Sequence, residues 1–172
     1  MKTLTLLSLS ALSLGLAAGC QTASSTSLAD DARVTVQFED PENFTDLKDG
    51  LVGTPNGRED YQEMLTRYAQ QLAAPHLRDG QSLTLTFTDV DLAGDYLPTA
   101  SSGRDIRVIK AVYPPRMELR FVLRDANGAV VKEGERTLTD LAFQNNLAPL
   151  NRNDELFYDR ELLRDWLARE LR

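Results

Sequence analysis

Ser82-Leu83-Thr84-Leu85-Thr86-Phe87-Thr88 alternates without a break, with Leu83, Leu85 and Phe87 on one side and threonines on the other. A period of two marks a strand that is dry on one face and wet on the other. The same pattern recurs along the chain. In Arg33–Phe38, Val34, Val36 and Phe38 share a face, and in Arg116–Arg124, Met117, Leu119, Phe121 and Leu123 do. Arg104–Tyr113 and Ala129–Arg136 read as two further strands. Asp125-Ala126-Asn127-Gly128 joins the last two, and Asn-Gly at its end is a strong hairpin signal. Each strand is apolar on one face only, so one face of the sheet needs a cover.

Two amphipathic segments supply it. Tyr61, Met64, Leu65, Tyr68 and Leu72 recur at helical spacing, and Pro75 stops the run. Asp60 and Glu63 form a capping-box-like pair, which sets the expected start of this helix. The second segment, Glu155–Leu171, buries Leu156, Leu162, Leu163, Trp166, Leu167 and Leu171. Glu161–Arg164 and Asp165–Arg169 have ion-pair spacing on its outer face. A shorter turn or helical segment is expected at Asp140–Phe143, and residues 41–58 read as a long loop with Phe44, Leu47 and Leu51 tucked in. The expected fold is therefore α+β: an antiparallel sheet of about five strands with two amphipathic helices packed on one face.

The acidic run Asp89-Val90-Asp91-Leu92-Ala93-Gly94-Asp95 breaks the pattern of the strand it follows. Asp89 and Asp91 have the parity of Leu83, Leu85 and Phe87, so a regular strand would drive both carboxylates into the core at high cost. Either a bulge near Thr88 flips the alternation and turns Val90 and Leu92 inward, or the acids pair with buried donors. The bulge is the simpler solution. Places where local rules break are where sites concentrate, so Asp89, Asp91 and Asp95 are the leading candidates. The run is not a calcium loop, because Ala93 and Ala100 stand where the fifth and twelfth ligands belong.

The 172 residues carry 26 acids against 19 Lys and Arg, for a net charge of −7, which argues against nucleic acid as a partner. Acids dominate from Asp30 to Glu63 and bases from Arg104 to Arg124. The plain reading is two complementary solvated faces of one domain. The sharper one is a basic strip, with Arg116 and Arg120, that meets an anionic partner. Tyr113-Pro114-Pro115-Arg116 reads first as a rigid turn between strands and second as a docking edge presenting Tyr113 and Arg116. The one histidine, His76, follows Pro75 and has neither a nucleophile-elbow serine nor a second metal ligand beside it. No catalytic set, cofactor site or metal site is expected. The remaining enzymatic alternative is a ligand-binding or hydrolytic site built from Asp89, Asp91 and Asp95.

The N-terminus gives an address. Met1-Lys2 precedes an uncharged stretch, Leu4–Ala18, too short for a membrane span, which needs roughly 20 apolar residues. Leu16-Ala17-Ala18-Gly19-Cys20 then reads as a lipoprotein signal: residues 1–19 are removed, and the thiol of Cys20, the only cysteine, accepts a diacylglyceryl group. An acylated terminus with two or three chains stays in a membrane, at about 0.8 kcal/mol per buried methylene. Gln21, in place of the Asp that retains lipoproteins at the inner membrane, favours the outer membrane, facing the periplasm. Residues 20–32 read as a flexible tether spanning roughly 20 Å, and residues 33–172 as the single α+β domain.

Several segments add up to a family. Val34–Phe38 running into Asp40–Asp46, then Asp91–Gly94, Ile106–Val108, Tyr113–Arg116, Gly134-Glu135 with Leu138–Asp140, and Leu163–Trp166 resemble the proteobacterial domain of unknown function 3016. The resemblance runs from about Arg33 to the C-terminus. It implies a small exported protein or lipoprotein without assigned activity, and it supplies no catalytic residues. The expectation is an envelope lipoprotein acting as a non-enzymatic accessory module, with the membrane as one partner and an envelope protein as another.

Overall fold

A computed structural model describes residues 33–47, 57–98, 105–145 and 154–172. The expected signal peptide, Cys20 and tether lie outside them, as do Leu51 and Arg104. Along the chain come β1 (Val34–Phe38), α1 (Gly57–Ala73), β2 (Ser82–Asp91), β3 (Asp95–Pro98), β4 (Asp105–Val108), β5 (Arg116–Arg124), β6 (Val130–Thr139) and α2 (Phe157–Glu170). Single 3-10 turns sit at Pro41–Asn43, Ala74–His76 and Phe143–Asn145.

The class is α+β, as expected, but the sheet is mixed. Its order is β1-β2-β5-β6, with β3 and β4 forming a separate two-stranded ribbon. β1 runs parallel to β2, with Val34 opposite Leu83 and Phe38 opposite Phe87. The other ladders are antiparallel, as expected, and β1–β2 is the exception for a topological reason. α1 carries the chain back across the sheet between them, and a strand–helix–strand crossover brings the second strand in parallel. The expected third strand, Arg104–Tyr113, is strand only at Asp105–Val108, and it pairs with Asp95–Pro98 in the ribbon rather than in the main sheet. α1 starts at Gly57, so Asp60 and Glu63 lie inside the helix and do not cap it.

One face of the sheet is the core. Val34, Leu83, Leu85, Phe87, Val90, Met117, Leu119, Phe121, Leu123 and Leu138 pack against Tyr61, Leu65 and Ala69 of α1 and Leu163, Trp166 and Leu167 of α2. Phe44 and Leu47 are buried in the same cluster. Trp166 is 3% exposed and stands edge-on to Phe121, with ring centroids 5.6 Å apart. Burying a side chain of this size contributes about 1.5–3 kcal/mol, which identifies Trp166 as a core anchor. The opposite face carries Thr35, Gln37, Thr84, Thr86, Glu118, Arg120, Glu133, Glu135 and Thr137, all half-buried or exposed. Glu118, Arg120, Glu135 and Thr137, with Thr88, line an open, polar depression.

The β5–β6 hairpin forms where Asn-Gly places it. Gly128 has φ +83°, which a side-chain-bearing residue adopts only under strain, and Asp125 Oδ1 takes the N–H groups of Asn127 and Ala129 at 2.8 and 3.0 Å. β6 is tied to the end of α2 by Glu170. Its carboxylate receives both Arg136 Nε and a terminal guanidinium nitrogen, at 2.9 and 2.8 Å, and Lys132 Nζ at 2.9 Å. These bonds, Arg136 first, hold the Glu170 carboxyl at about 2. On α2, Glu161 is buried at 8% exposure and pairs with Arg164 at 2.5 Å, while Asp165 pairs with Arg164 instead of the expected Arg169.

Candidate functional site

The acidic run forms a corner. A register shift between Phe87 and Asp89 in the β2–β5 ladder is the bulge that the parity conflict requires. Beyond it Val90 and Leu92 are buried, at 0% and 1% exposure, and Asp89 and Asp91 turn to the other face of the sheet, opposite Glu118 and Arg116. Gly94 then reverses the chain into β3 at φ +95°. A Cβ there would lie 2.8 Å from the Val108 carbonyl oxygen and 2.7 Å from Ile109 Cδ1, so the position requires glycine.

Three carboxylates around this corner, Asp89, Asp46 and Asp159, each hold a piece of backbone. Asp89 takes the Thr45 N–H at 2.7 Å and the Thr45 hydroxyl at 3.0 Å, and a nitrogen of Arg116 lies 3.4 Å away. Asp46 Oδ2 takes the Leu92 N–H at 2.7 Å, while Asp46 N donates to the Val90 carbonyl at 3.0 Å. Asp159, on α2 and fully buried, takes the Ala93 N–H at 2.9 Å. The Gly94 N–H goes to the Tyr113 carbonyl at 3.0 Å. Three consecutive amides, at residues 92, 93 and 94, are thus each held from a different segment.

Arg107 on β4 completes the corner. It donates through Nε to the Ala93 carbonyl at 2.7 Å, and through its other nitrogens to the Glu155 carbonyl at 2.8 Å and Asp159 Oδ2 at 3.1 Å. Burial pushes the Asp159 carboxyl up, against the pull of Arg107 and the Ala93 N–H. Burial also pushes Asp46 up, to about 6, opposed by the Leu92 N–H and assisted by the charge of Asp91. Asp91 is raised too, by burial and then by the like charge of Asp89.

The six interaction candidates are therefore distributed. Asp89, Asp91 and Arg116 meet at the corner, on the outer face. Asp95 begins the ribbon and is half-buried, and Tyr113, 37% exposed, contributes its carbonyl to the corner. Arg120 lies further along β5 and is paired with Glu39, while Arg116 is also paired with Glu118. The basic strip is accordingly not a continuous free surface, and part of it is neutralised by the acidic N-terminal stretch. His76 is exposed in its 3-10 turn. Among the described residues, no three metal-ligating side chains converge, and no helix is long and apolar enough to cross a membrane.

Asp46, Arg107 and Asp159 were not singled out by sequence reasoning. One signal was present. Asp159 occupies a position in the apolar stripe that runs from Leu156 to Leu163 and Trp166, and a carboxylate in such a stripe demands a buried partner. Nothing local named Arg107 as that partner, because the two are 52 residues apart.

A family model described as "Protein of unknown function (DUF3016)" matches residues 32–169. The chain belongs to that family. The match spans β1 through all but the last residue of α2, so it takes in the sheet, the ribbon and the corner. Four of the segments that carry the DUF3016 resemblance meet at the corner: Asp40–Asp46, Asp91–Gly94, Ile106–Val108 and Tyr113–Arg116. No curated protein matches the sequence.

Proposed function

We propose that this DUF3016 protein is an outer-membrane lipoprotein facing the periplasm, held by acylated Cys20, whose domain acts as a non-enzymatic interaction module. The anchor reading rests on Leu16–Cys20 and Gln21. The non-enzymatic reading is supported by one observation above all: Asp89 of the acidic run, and Asp46 and Asp159 that reach the run from other segments, are engaged in holding the chain. Asp89 is occupied by Thr45, Asp46 by the Leu92 N–H, and Asp159 by Arg107 and the Ala93 N–H. A hydrolytic pair needs one carboxyl free to give a proton and another free to attack or to activate water.

The outer face of the sheet is the surface this reading assigns to a partner. It is polar and broad, and β6 ends it with an edge that has no partner strand among the described residues. Crosslinking in intact envelopes tests the proposal. The expected result is a stoichiometric protein partner whose capture weakens when Arg120→Glu or Arg116→Glu changes that face. Two results count against it: no partner under any condition, or a turnover activity that Asp91→Asn abolishes while stability is unchanged.

A further inference from the structure

Two carboxyls grip neighbouring peptide groups of the same corner. Asp46 takes the N–H of Leu92 at 2.7 Å and Asp159 that of Ala93 at 2.9 Å. The two carboxyls reach adjacent amides, and the charge of Asp159 acts on Asp46. Among the described residues one guanidinium, that of Arg107, bonds either of them directly, and it bonds Asp159, not Asp46. The groups facing Asp46 are the Leu92 N–H and Asp91 from the end of β2, Arg107 from β4 and Asp159 from α2. Asp91 in turn faces Asp89, Asp95, Asp159 and Arg116. Carboxyls crowded in this way do not all ionise without cost, and the one lacking its own cation takes the proton.

Asp46 belongs to a short segment laid over the corner. Phe44 and Leu47 root that segment in the core, and Thr45 and Asp46 make its polar attachments to residues 89–92. The corner beneath carries the ribbon and, through the Gly94 N–H, the turn at Tyr113.

We propose that this junction is an acid-tightened latch: with Asp46 protonated the 44–47 segment holds more firmly to the backbone of residues 90–93, and with Asp46 ionised beside Asp91 and Asp159 it opens locally more often. The sign follows from where the proton binds. A solvated aspartate releases its proton near pH 4, whereas Asp46 in the closed corner holds it to about 6. Closure therefore weakens as pH rises from about 4 to about 6 and is constant above that. Because Asp46 is only partly buried, solvent screening reduces the full linkage, and the expected change in the opening equilibrium is about 10-fold.

Hydrogen exchange on the full chain in detergent tests the latch. After correction for the intrinsic pH dependence of exchange, the Leu92 and Ala93 amides are expected to lose about 10-fold in protection between pH 4.5 and 6.5. Leu119 and Phe121 in β5 keep theirs. In Asp46→Asn, whose amide oxygen still accepts the Leu92 N–H, the pH dependence disappears. Three results overturn the proposal: pH-independent protection at Leu92 and Ala93, a change that Leu119 and Phe121 share, or an Asp46→Asn protein that retains it. Direct NMR titration of the Asp46 carboxyl in the unaltered chain gives a second reading. A midpoint near 6 supports the latch, and one near 4 refutes it.

Discussion

Replacing Arg107 by methionine removes the cation bonded to the fully buried Asp159 carboxylate. Methionine matches the length of the aliphatic stem, so the loss is chiefly electrostatic. Asp159 is left without its counter-charge, and the carbonyls of Ala93 and Glu155 each lose a donor. Breaking a buried pair from one side costs about 3–5 kcal/mol, because a charge stays behind without compensation. Against a total of about 5–15 kcal/mol for a domain of this size, that is a large fraction. The double variant Arg107→Met/Asp159→Asn separates the causes. Asparagine is neutral and still accepts the Ala93 N–H, so the double variant should recover at least about 2 kcal/mol of the single variant's loss. Urea unfolding at pH 7 of a chain lacking residues 1–20 provides the assay. The fluorescence of Trp166, the only tryptophan, reports on the core. Equal slopes and shifted midpoints would indicate a change in stability alone. A single variant that loses less than about 1 kcal/mol, or a double variant no more stable than the single, would refute the reasoning.

Gly94→Ala should cost about 2–3 kcal/mol, the sum of a left-handed backbone and a contact with the Val108 carbonyl, measured by the same unfolding assay. An unchanged midpoint would show that the corner tolerates a Cβ. Glu170→Gln should weaken the attachment of α2 to β6 by about 1 kcal/mol, a value kept small because Arg136 and Lys132 face solvent. Since the folded state depresses the Glu170 carboxyl from 4.5 to about 2, its contribution is fully present above about pH 4.5 and is lost as pH falls toward 2. The glutamine variant should lack this part of the acid sensitivity.

The sequence reading went furthest where local rules collide. Asp89 and Asp91 shared parity with Leu83, Leu85 and Phe87, and that conflict alone located the bulge between Phe87 and Asp89. Asn127-Gly128 placed the hairpin for an equally local reason, the need for a positive φ. The strand direction of β1 was not legible, because Val34, Val36 and Phe38 alternate identically in a parallel or an antiparallel ladder. Only the intervening helix distinguishes the two, and its apolar stripe fits a cover and a crossover equally. β3 escaped notice because four residues, Asp95–Pro98, give too short a pattern to recognise. The corner was legible only as an anomaly. Its partners Asp46, Arg107 and Asp159 come from three distant segments, and sequence spacing carries no information about which buried donor meets which buried acceptor.

The claim on which the functional account turns is the anchor. Mass spectrometry of the natural protein, purified from envelopes, tests it most directly. The account predicts a chain that begins at Cys20 and carries acyl groups on that residue. An unmodified terminus, whether at Met1 or downstream of Ala18, would contradict it.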